Sequence, residues 1–399
     1  MPPHDLAALS LYPATPAQVL ETRERTWPHW GGSTTLEQYL QYYKRMDEME
    51  HARDGRMITW VLAPRGDPMT LDFMCACETY KRTGLVAYPS PDGPNKVNEV
   101  PCYGIASVYT PEAKRRKGYG QHMMRLLHWV ISSCDDFVEF PKEWGVPPPK
   151  VDGAGGAAFS VLYSAVGEDF YGDAGVQAEG KAGGWQVRAP WSWAWEVRGQ
   201  MEKVPGRVEE SPGWKWVEEG DLDEMWREDA GFIKNSLEGT PRSDPSYETP
   251  SPTAFVSALP DRGVGSFQVV RSLLVSGHAV PLKVWGIRKE NIGDERRATY
   301  ATWAANMWST PTLIVTRLAA TRETFPELLK KIKEAAQSAG LEKVEIWNLP
   351  RDLDGLAEGE GNEDGKKYER TRGLSMIKWY GRGETRDVEW SFNERFCWC

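Results

Sequence analysis

The stretch that most restricts this chain runs over residues 103–134. An apolar strand over 103–109 leads into Pro111, a basic tetrad follows (Lys114, Arg115, Arg116, Lys117), and Gly118 and Gly120 open a helix. That helix places Gly120, Met124, Leu127, Ile131 and Cys134 on one face, the pattern of an element packed on a sheet. The first turn of a helix has backbone N–H groups without internal partners, and the helix dipole is positive there. Glycines let the backbone close around a bulky anion, so strand, basic glycine turn and helix together predict a diphosphate cradle. Arginine adds a bidentate grip. A phosphate loop of the G-x-x-x-x-G-K-[ST] type is absent, and so is a dinucleotide G-x-G-x-x-G after this strand. The pattern left is Arg115-x-x-Gly118-x-Gly120. A merely solvated basic helix start would need neither the strand nor the amphipathic helix that frame it.

Around this unit the first part of the chain alternates strands and helices. A helix is predicted over 35–49, with Leu36, Leu40, Tyr43 and Met46 at helical spacing. Strands are predicted over 57–62, 71–79, 157–166 and 186–197, and a short helix at 169–174. Loops rich in proline or glycine cover 141–156 and 178–184. Residues 199–220 read as irregular, 221–237 as a helix and 239–252 as a loop or linker. Strands return at 282–287, 298–305 and 312–318. A helix from Phe325 to Gly340 follows, with Thr324 and Glu327 as a capping box. Residues 343–347 read as a strand, the acidic, glycine-rich 352–373 as a flexible loop, and 376–380 and 388–392 as late strands. The two halves share an order of elements without a residue-level repeat. The reading is an α+β chain with mixed sheets, divided into a domain over 1–198, a connector over 199–253 and a second domain over 254–399.

At 399 residues the chain is too long for one small domain. Its net charge of −9 argues against a nucleic-acid binder and suits a small cationic substrate. Its 19 tryptophans imply large aromatic walls, in core or pocket. The six cysteines form no C-x-x-C pair and no zinc spacing, so reduced thiols and no metal are expected. No apolar stretch is long enough for a membrane span, and the N-terminus lacks the pattern of a signal peptide, which leaves the cytoplasm as the expected location.

Arg115-x-x-Gly118-x-Gly120, with the preceding valine and proline, resembles the R/Q-x-x-G-x-G/A signature of the GNAT acetyltransferase superfamily. Gly118 stands seven positions beyond Pro111, one more than is common there, which implies an extra residue in the turn. The run Asp169-Phe170-Tyr171-Gly172-Asp173-Ala174-Gly175-Val176 resembles the F-Y-x-x-x-G-F segment of the same superfamily. C-E-T-Y at 77–80, S-V-Y-T-P-E, R-K-G-Y-G-Q-H-M-M-R-L-L-H, V-L-Y-S-A-V-G-E-D-F-Y and the terminal N-E-R-F-C-W-C are similar to the fungal lysine N6-acetyltransferases of lysine catabolism.

The resemblance implies a GNAT fold in the N-terminal domain, a degenerate GNAT-like C-terminal domain, and direct acetyl transfer from acetyl-CoA to an amine, with L-lysine as the acceptor. It implies that Ser107, Val108, Tyr109 and Thr110 line the pantetheine arm and that Arg115, Arg116, Lys117, Gly118, Tyr119 and Gly120 hold the diphosphate. It also implies that the strand near 162–165 splays away, and that Tyr171 protonates the departing thiolate. A free lysine side-chain amine has a pKa of about 10.4, so a base must take its proton. Glu78, Glu168 and Asp169 are the candidates, with Glu78 also a substrate contact. Some acetyltransferases with two GNAT domains bring their C-terminal carboxylate into the active site. The apolar Phe396-Cys397-Trp398-Cys399 makes Cys399 a candidate base or anchor of that kind. The second half has no glycine in Ala319-Ala320-Thr321-Arg322, so it is expected to wall the substrate pocket, with Trp285, Trp303, Trp308 and Trp347 as contributors.

A free amino acid as acceptor requires carboxylates for its amines and a cation for its carboxylate. Other acceptors (a polyamine, an amino sugar, a toxin) and a non-catalytic acetyl-CoA-binding module are the alternatives. The oligomeric state is not legible.

Overall fold

The computed structural model describes residues 5–132, 139–178, 183–197, 212–244, 247–275, 282–290, 299–307, 310–358 and 364–399. Cys134, residues 179–182 of the glycine-rich loop, Arg198 at the expected boundary, 199–211, 245–246, Ala298, Trp308 and 359–363 lie outside them.

The first half contributes β1 (Leu9–Pro13), α1 (Pro16–Trp30), α2 (Leu36–Asp47), β2 (Met57–Pro64), β3 (Cys75–Tyr88), β4 (Lys96–Tyr109), α3 (Tyr119–Ile131), β5 (Phe159–Ser164), α4 (Asp169–Gly172), β6 (Gln186–Val187) and β7 (Trp191–Glu196). The second contributes β8 (Trp214–Val217), α5 (Leu222–Gly239), β9 (Ala254–Ala258), α6 (Val264–Val275), β10 (Gly286–Lys289), β11 (Tyr300–Asn306), β12 (Thr312–Ala319), α7 (Phe325–Ser338), β13 (Lys343–Trp347), α8 (Asp354–Ala357), β14 (Lys366–Glu369), β15 (Leu374–Trp379) and β16 (Val388–Trp390).

One sheet runs β1-β2-β3-β4-β5-β15-β6, with β9 beside the far end of β3 and β16 beside β9; the other runs β14-β7-β13-β12-β11-β10-β8. Each contains one strand–helix–parallel strand unit: β4–α3–β5 in the first, β12–α7–β13 in the second. The halves also exchange strands. β15 of the second half pairs with β5 and β6, and β7 of the first pairs with β13 and β14. The single strand expected over 186–197 is therefore two, in different sheets. Pro190, which cannot donate to a ladder, and Ala189, at φ 45°, make the break.

Local sequence explains the helix ends. The α1 helix, which periodicity missed, starts on a capping box: Gln18 N–H donates to the Thr15 hydroxyl and Thr15 N–H to the Gln18 side chain, with Pro16 in the first turn. Thr35 and Gln38 repeat the arrangement at α2. At α7 the expected box does not form. Glu327 instead accepts from Trp214 Nε1 at 2.8 Å and faces Lys289, while the Thr324 hydroxyl takes the Thr321 N–H. The strand β8 that carries Trp214 falls in a section expected to be irregular. In the same way, α8 and β14 fall in the section expected to be a flexible loop.

Helix α3 buries Met123, Met124, Leu127 and Ile131 on one face of the first sheet, while Ile233 and Leu237 of α5 pack with Leu85, Phe159 and Val161 on the other. One buried polar cluster joins the halves, and a second ties α5, β12 and the terminal segment together within the second half. His128 is stacked on Trp185 at 4.1 Å, donates from Nε2 to the Ala174 carbonyl and accepts at Nδ1 from Tyr380, whose hydroxyl also meets Ser160 at 3.0 Å. Burial lowers the His128 pKa to about 3, so the ring stays neutral. Arg317 on β12, 1% exposed, pairs with Asp229 of α5 at 3.0 Å and with Glu394 at 2.6 Å. Burial outweighs that pairing at Glu394 and raises its carboxyl to about 7. Among the described residues no helix is long and apolar enough to cross a membrane.

Candidate functional site

The site begins where β4 and β5 part. Their parallel pairing runs from Cys102–Phe159 to Ile105–Leu162 and stops there, although β4 continues to Tyr109 and β5 to Ser164. On its other edge β4 carries a bulge. The register with β3 shifts between Ala76 and Glu78, and Ser107 takes φ 54°. The divergence opens a cavity of about 490 Å³. Ser107, Val108, Tyr109 and Arg115 line it, and so do Glu78, Tyr171 and Cys399. The side chains named from separate motifs thus meet in one space.

Behind the cavity stands the glycine turn. Arg116 and Gly118 both adopt left-handed backbone, at φ 60° and 80°. Arg116 absorbs the longer turn; Gly118 is the residue before α3 and places no side-chain cap on it. At Gly120 a Cβ would lie 3.1 Å from the Thr110 hydroxyl and 3.2 Å from the Phe170 ring, a tight approach that favours glycine. The cations are not equivalent. Lys114 is held by Asp72 at 2.6 Å, and Arg115 Nε donates to the Thr110 carbonyl. Lys117 reaches back to the Ala113 carbonyl, and Arg116 is exposed. Tyr119 is buried among core residues under the turn.

Glu78, on β3, is 3% exposed and accepts from the Ser107 hydroxyl at 2.7 Å and the Tyr80 hydroxyl at 3.1 Å. Burial raises its carboxyl above the usual range, with Arg23 the main opposing influence. Tyr39, Tyr42 and Tyr43, at i, i+3 and i+4 on α2, share its chamber, and burial raises their phenols too. That tyrosine spacing was visible in the sequence, but only the fold turns it toward Glu78. Tyr171 is 8% exposed, packed edge-on against Phe170 at 4.8 Å, and its hydroxyl is pushed well above its ordinary pKa by burial. Glu168 and Asp169 are exposed and do not line the cavity.

The C-terminal segment reaches the cavity by crossing the second sheet. Where β12 and β13 part, beyond Val315–Ile346, the Leu318 N–H donates to Glu394, the Asn348 amide to the Asn393 carbonyl, and Arg395 lies 4.4 Å over Trp347. The gap that is open in the first half is thus filled by protein in the second. Arg82 then donates to the Cys397 carbonyl at 2.6 Å, Tyr163 contacts Cys397 Sγ at 2.8 Å, and Trp398 and Cys399 join the cavity wall. The aromatic wall differs from expectation. Trp285 and Trp303 lie in the second half's core, held there by sheet packing, while Trp30 and Trp398 line the cavity and Trp347 a neighbouring one.

The turn fits a coenzyme A diphosphate: a helix start with no side-chain cap from Gly118, left-handed backbone at that glycine, and a close approach of Thr110 and Phe170 to Gly120. Among the described residues no cluster of three metal-ligating side chains occurs.

A family model described as the LYC1 GNAT-like C-terminal domain matches residues 200–399. No curated protein matches the chain. Among solved structures, a GCN5-related N-acetyltransferase from Anabaena variabilis ATCC 29413 superposes with a TM-score of 0.50 at 11% identity, over 94% of this chain and 73% of that one. A GCN5-related N-acetyltransferase from Kribbella flavida gives a TM-score of 0.45 at 15% identity, over 93% and 72%. Identities this low speak to the fold. That fold is the expected one, a GNAT domain followed by a GNAT-like C-terminal domain with mixed sheets.

Proposed function

Because the chain belongs to the family of the LYC1 GNAT-like C-terminal domain, we propose that it is an acetyl-CoA-dependent N-acetyltransferase acting on the side-chain amine of free L-lysine. The observation that carries the reading is the parting of β4 and β5 onto a cavity lined by both Glu78 and Tyr171. Bound acetyl-CoA would supply the acetyl thioester. The α3 helix start, with Arg116, holds the diphosphate, and the unpaired edge of β4 at Ser107–Val108–Tyr109 aligns the arm and offers backbone N–H groups to the carbonyl oxygen. Glu78 takes the proton of the incoming ammonium, which must be neutral to attack. Its hydrogen bonds from Ser107 and Tyr80 fix the carboxylate in place. Tyr171, kept protonated by burial, gives a proton to the departing thiolate. Cys399, on the cavity wall, serves as an anchor for the acceptor.

Lysine as the acceptor is supported by the segments at 77–80, 107–112, 116–128, 161–171 and 393–399, which resemble the fungal lysine N6-acetyltransferases, and by the family match over residues 200–399. The test is calorimetric titration with coenzyme A, followed by a CoA-thiol release assay over a panel of amines. Association with coenzyme A and turnover on L-lysine are expected. No heat on titration with coenzyme A refutes the proposal.

A further inference from the structure

Next to the transfer cavity lies a second one, of about 610 Å³, and the two share Tyr163, Ala165, Arg271, Arg372 and Trp398 in their walls. Three arginines converge there from distant parts of the chain: Arg271 from α6, Arg372 from the turn before β15, and Arg395 from the segment that fills the second sheet's gap. Arg395 is wedged between two rings, 4.4 Å over Trp347 and 3.9 Å over Trp398, and Arg271 lies 4.7 Å over the same Trp398 ring. Among the described residues no carboxylate makes an ion pair with Arg271, Arg372 or Arg395, whereas the more deeply buried Arg317 has two. The carboxylate that most influences Arg395, Glu345, is already bound to Lys343 at 3.3 Å and Trp347 Nε1 at 2.8 Å.

In a chain of net charge −9, guanidinium groups gathered without an ion-pairing carboxylate are unfavourable unless an anion joins them. Burial, and after it the neighbouring Arg271, lower Arg395 to about 9, so both effects oppose its charge in the absence of such a partner. Among the described residues Arg271 has only a neutral hydrogen-bond partner, the Tyr42 hydroxyl, and stacked guanidiniums match a planar, bidentate acceptor, which is the geometry of a carboxylate. At the other end of the joined space Glu78 faces the acyl-transfer wedge.

Resting on the acetyl-transfer reading above, we infer that Arg271 and Arg395, with Arg372 at the rim, bind the carboxylate of the acceptor, so that the enzyme selects amines carrying a carboxylate at the far end and discriminates against simple polyamines.

The test compares L-lysine, 6-aminohexanoate and cadaverine, which share the terminal amine and differ in the far end. In the wild type, kcat/KM for lysine and 6-aminohexanoate is expected to exceed that for cadaverine by about 10- to 100-fold, the range for a charge-assisted hydrogen bond in an enclosed site. In R395Q and R271Q, each made separately, the ratio of lysine to cadaverine falls toward one, while R395K keeps part of it. Because the ratio is read within one protein, partial misfolding cancels. A wild type that acetylates cadaverine as well as lysine, or arginine variants that keep the wild-type ratio, overturns the inference and leaves acetyl transfer standing. Absence of turnover on every amine overturns both.

Discussion

Replacing Glu78 by glutamine separates charge from shape. Both hydrogen bonds that Glu78 accepts, from Ser107 at 2.7 Å and Tyr80 at 3.1 Å, end on one oxygen, and the glutamine carbonyl can take the same place. What disappears is the basic group. General-base assistance is worth about 10²- to 10⁴-fold, so kcat on lysine in E78Q is expected to fall by at least about 100-fold. Coenzyme A affinity should stay within about threefold, because the diphosphate cradle is built elsewhere, on α3. The wild-type pH–kcat/KM profile should lose activity as pH falls through the raised carboxyl of Glu78, since only the ionised form takes a proton. E78Q should lack that limb. Stability should move the opposite way. A carboxyl raised by burial favours the folded state in its protonated form, and that contribution is lost as pH rises through the folded value. E78Q is therefore expected to melt above the wild type at neutral pH, with the gap closing below the ordinary carboxylate range. The assays are CoA-thiol release and thermal melts at matched pH. An E78Q enzyme that turns over lysine at the wild-type rate would falsify the assignment of Glu78 as base. A variant that melts below the wild type at pH 7 contradicts the burial argument.

Tyr171→Phe keeps the ring packed on Phe170 and removes only the hydroxyl, so kcat should drop by about 100-fold with coenzyme A binding intact by calorimetry. Adding a few residues after Cys399 should cripple turnover without lowering the melting temperature; undiminished activity removes Cys399 from the mechanism. Arg317→Met leaves Asp229 and Glu394 buried without their cation, which should cost about 3–5 kcal/mol in denaturant titrations and also weaken activity, because Glu394 holds the segment that ends at the cavity. Gly118→Val places a β-branched residue at φ 80° and should weaken coenzyme A binding in the same calorimetric assay.

Local sequence determined the part of this protein proposed to face the cofactor. Strand, basic glycine turn and helix follow one another within residues 103–131, and hydrogen bonding and glycine backbone freedom act over those few positions, so their pattern is readable before any folding. The helix of residues 325–338 and the strand of 343–347 were legible for the same reason, their periodicity being intact. Long-range pairing decided the rest. Nothing near residue 374 says that β15 will lie beside β5, or that β7 will cross into the other sheet, because a strand's own alternation does not name its partner. Glu327 left its capping box for Trp214 for the same reason: a partner more than a hundred positions away offered a better hydrogen bond. The side of the cavity proposed to take the acceptor is wholly tertiary. Glu78, Arg271, Arg395 and Cys399 come from four separate segments, and each acquires a role through burial and neighbouring charge, which exist only once the two halves have exchanged strands and the terminal segment has filled the second sheet's gap.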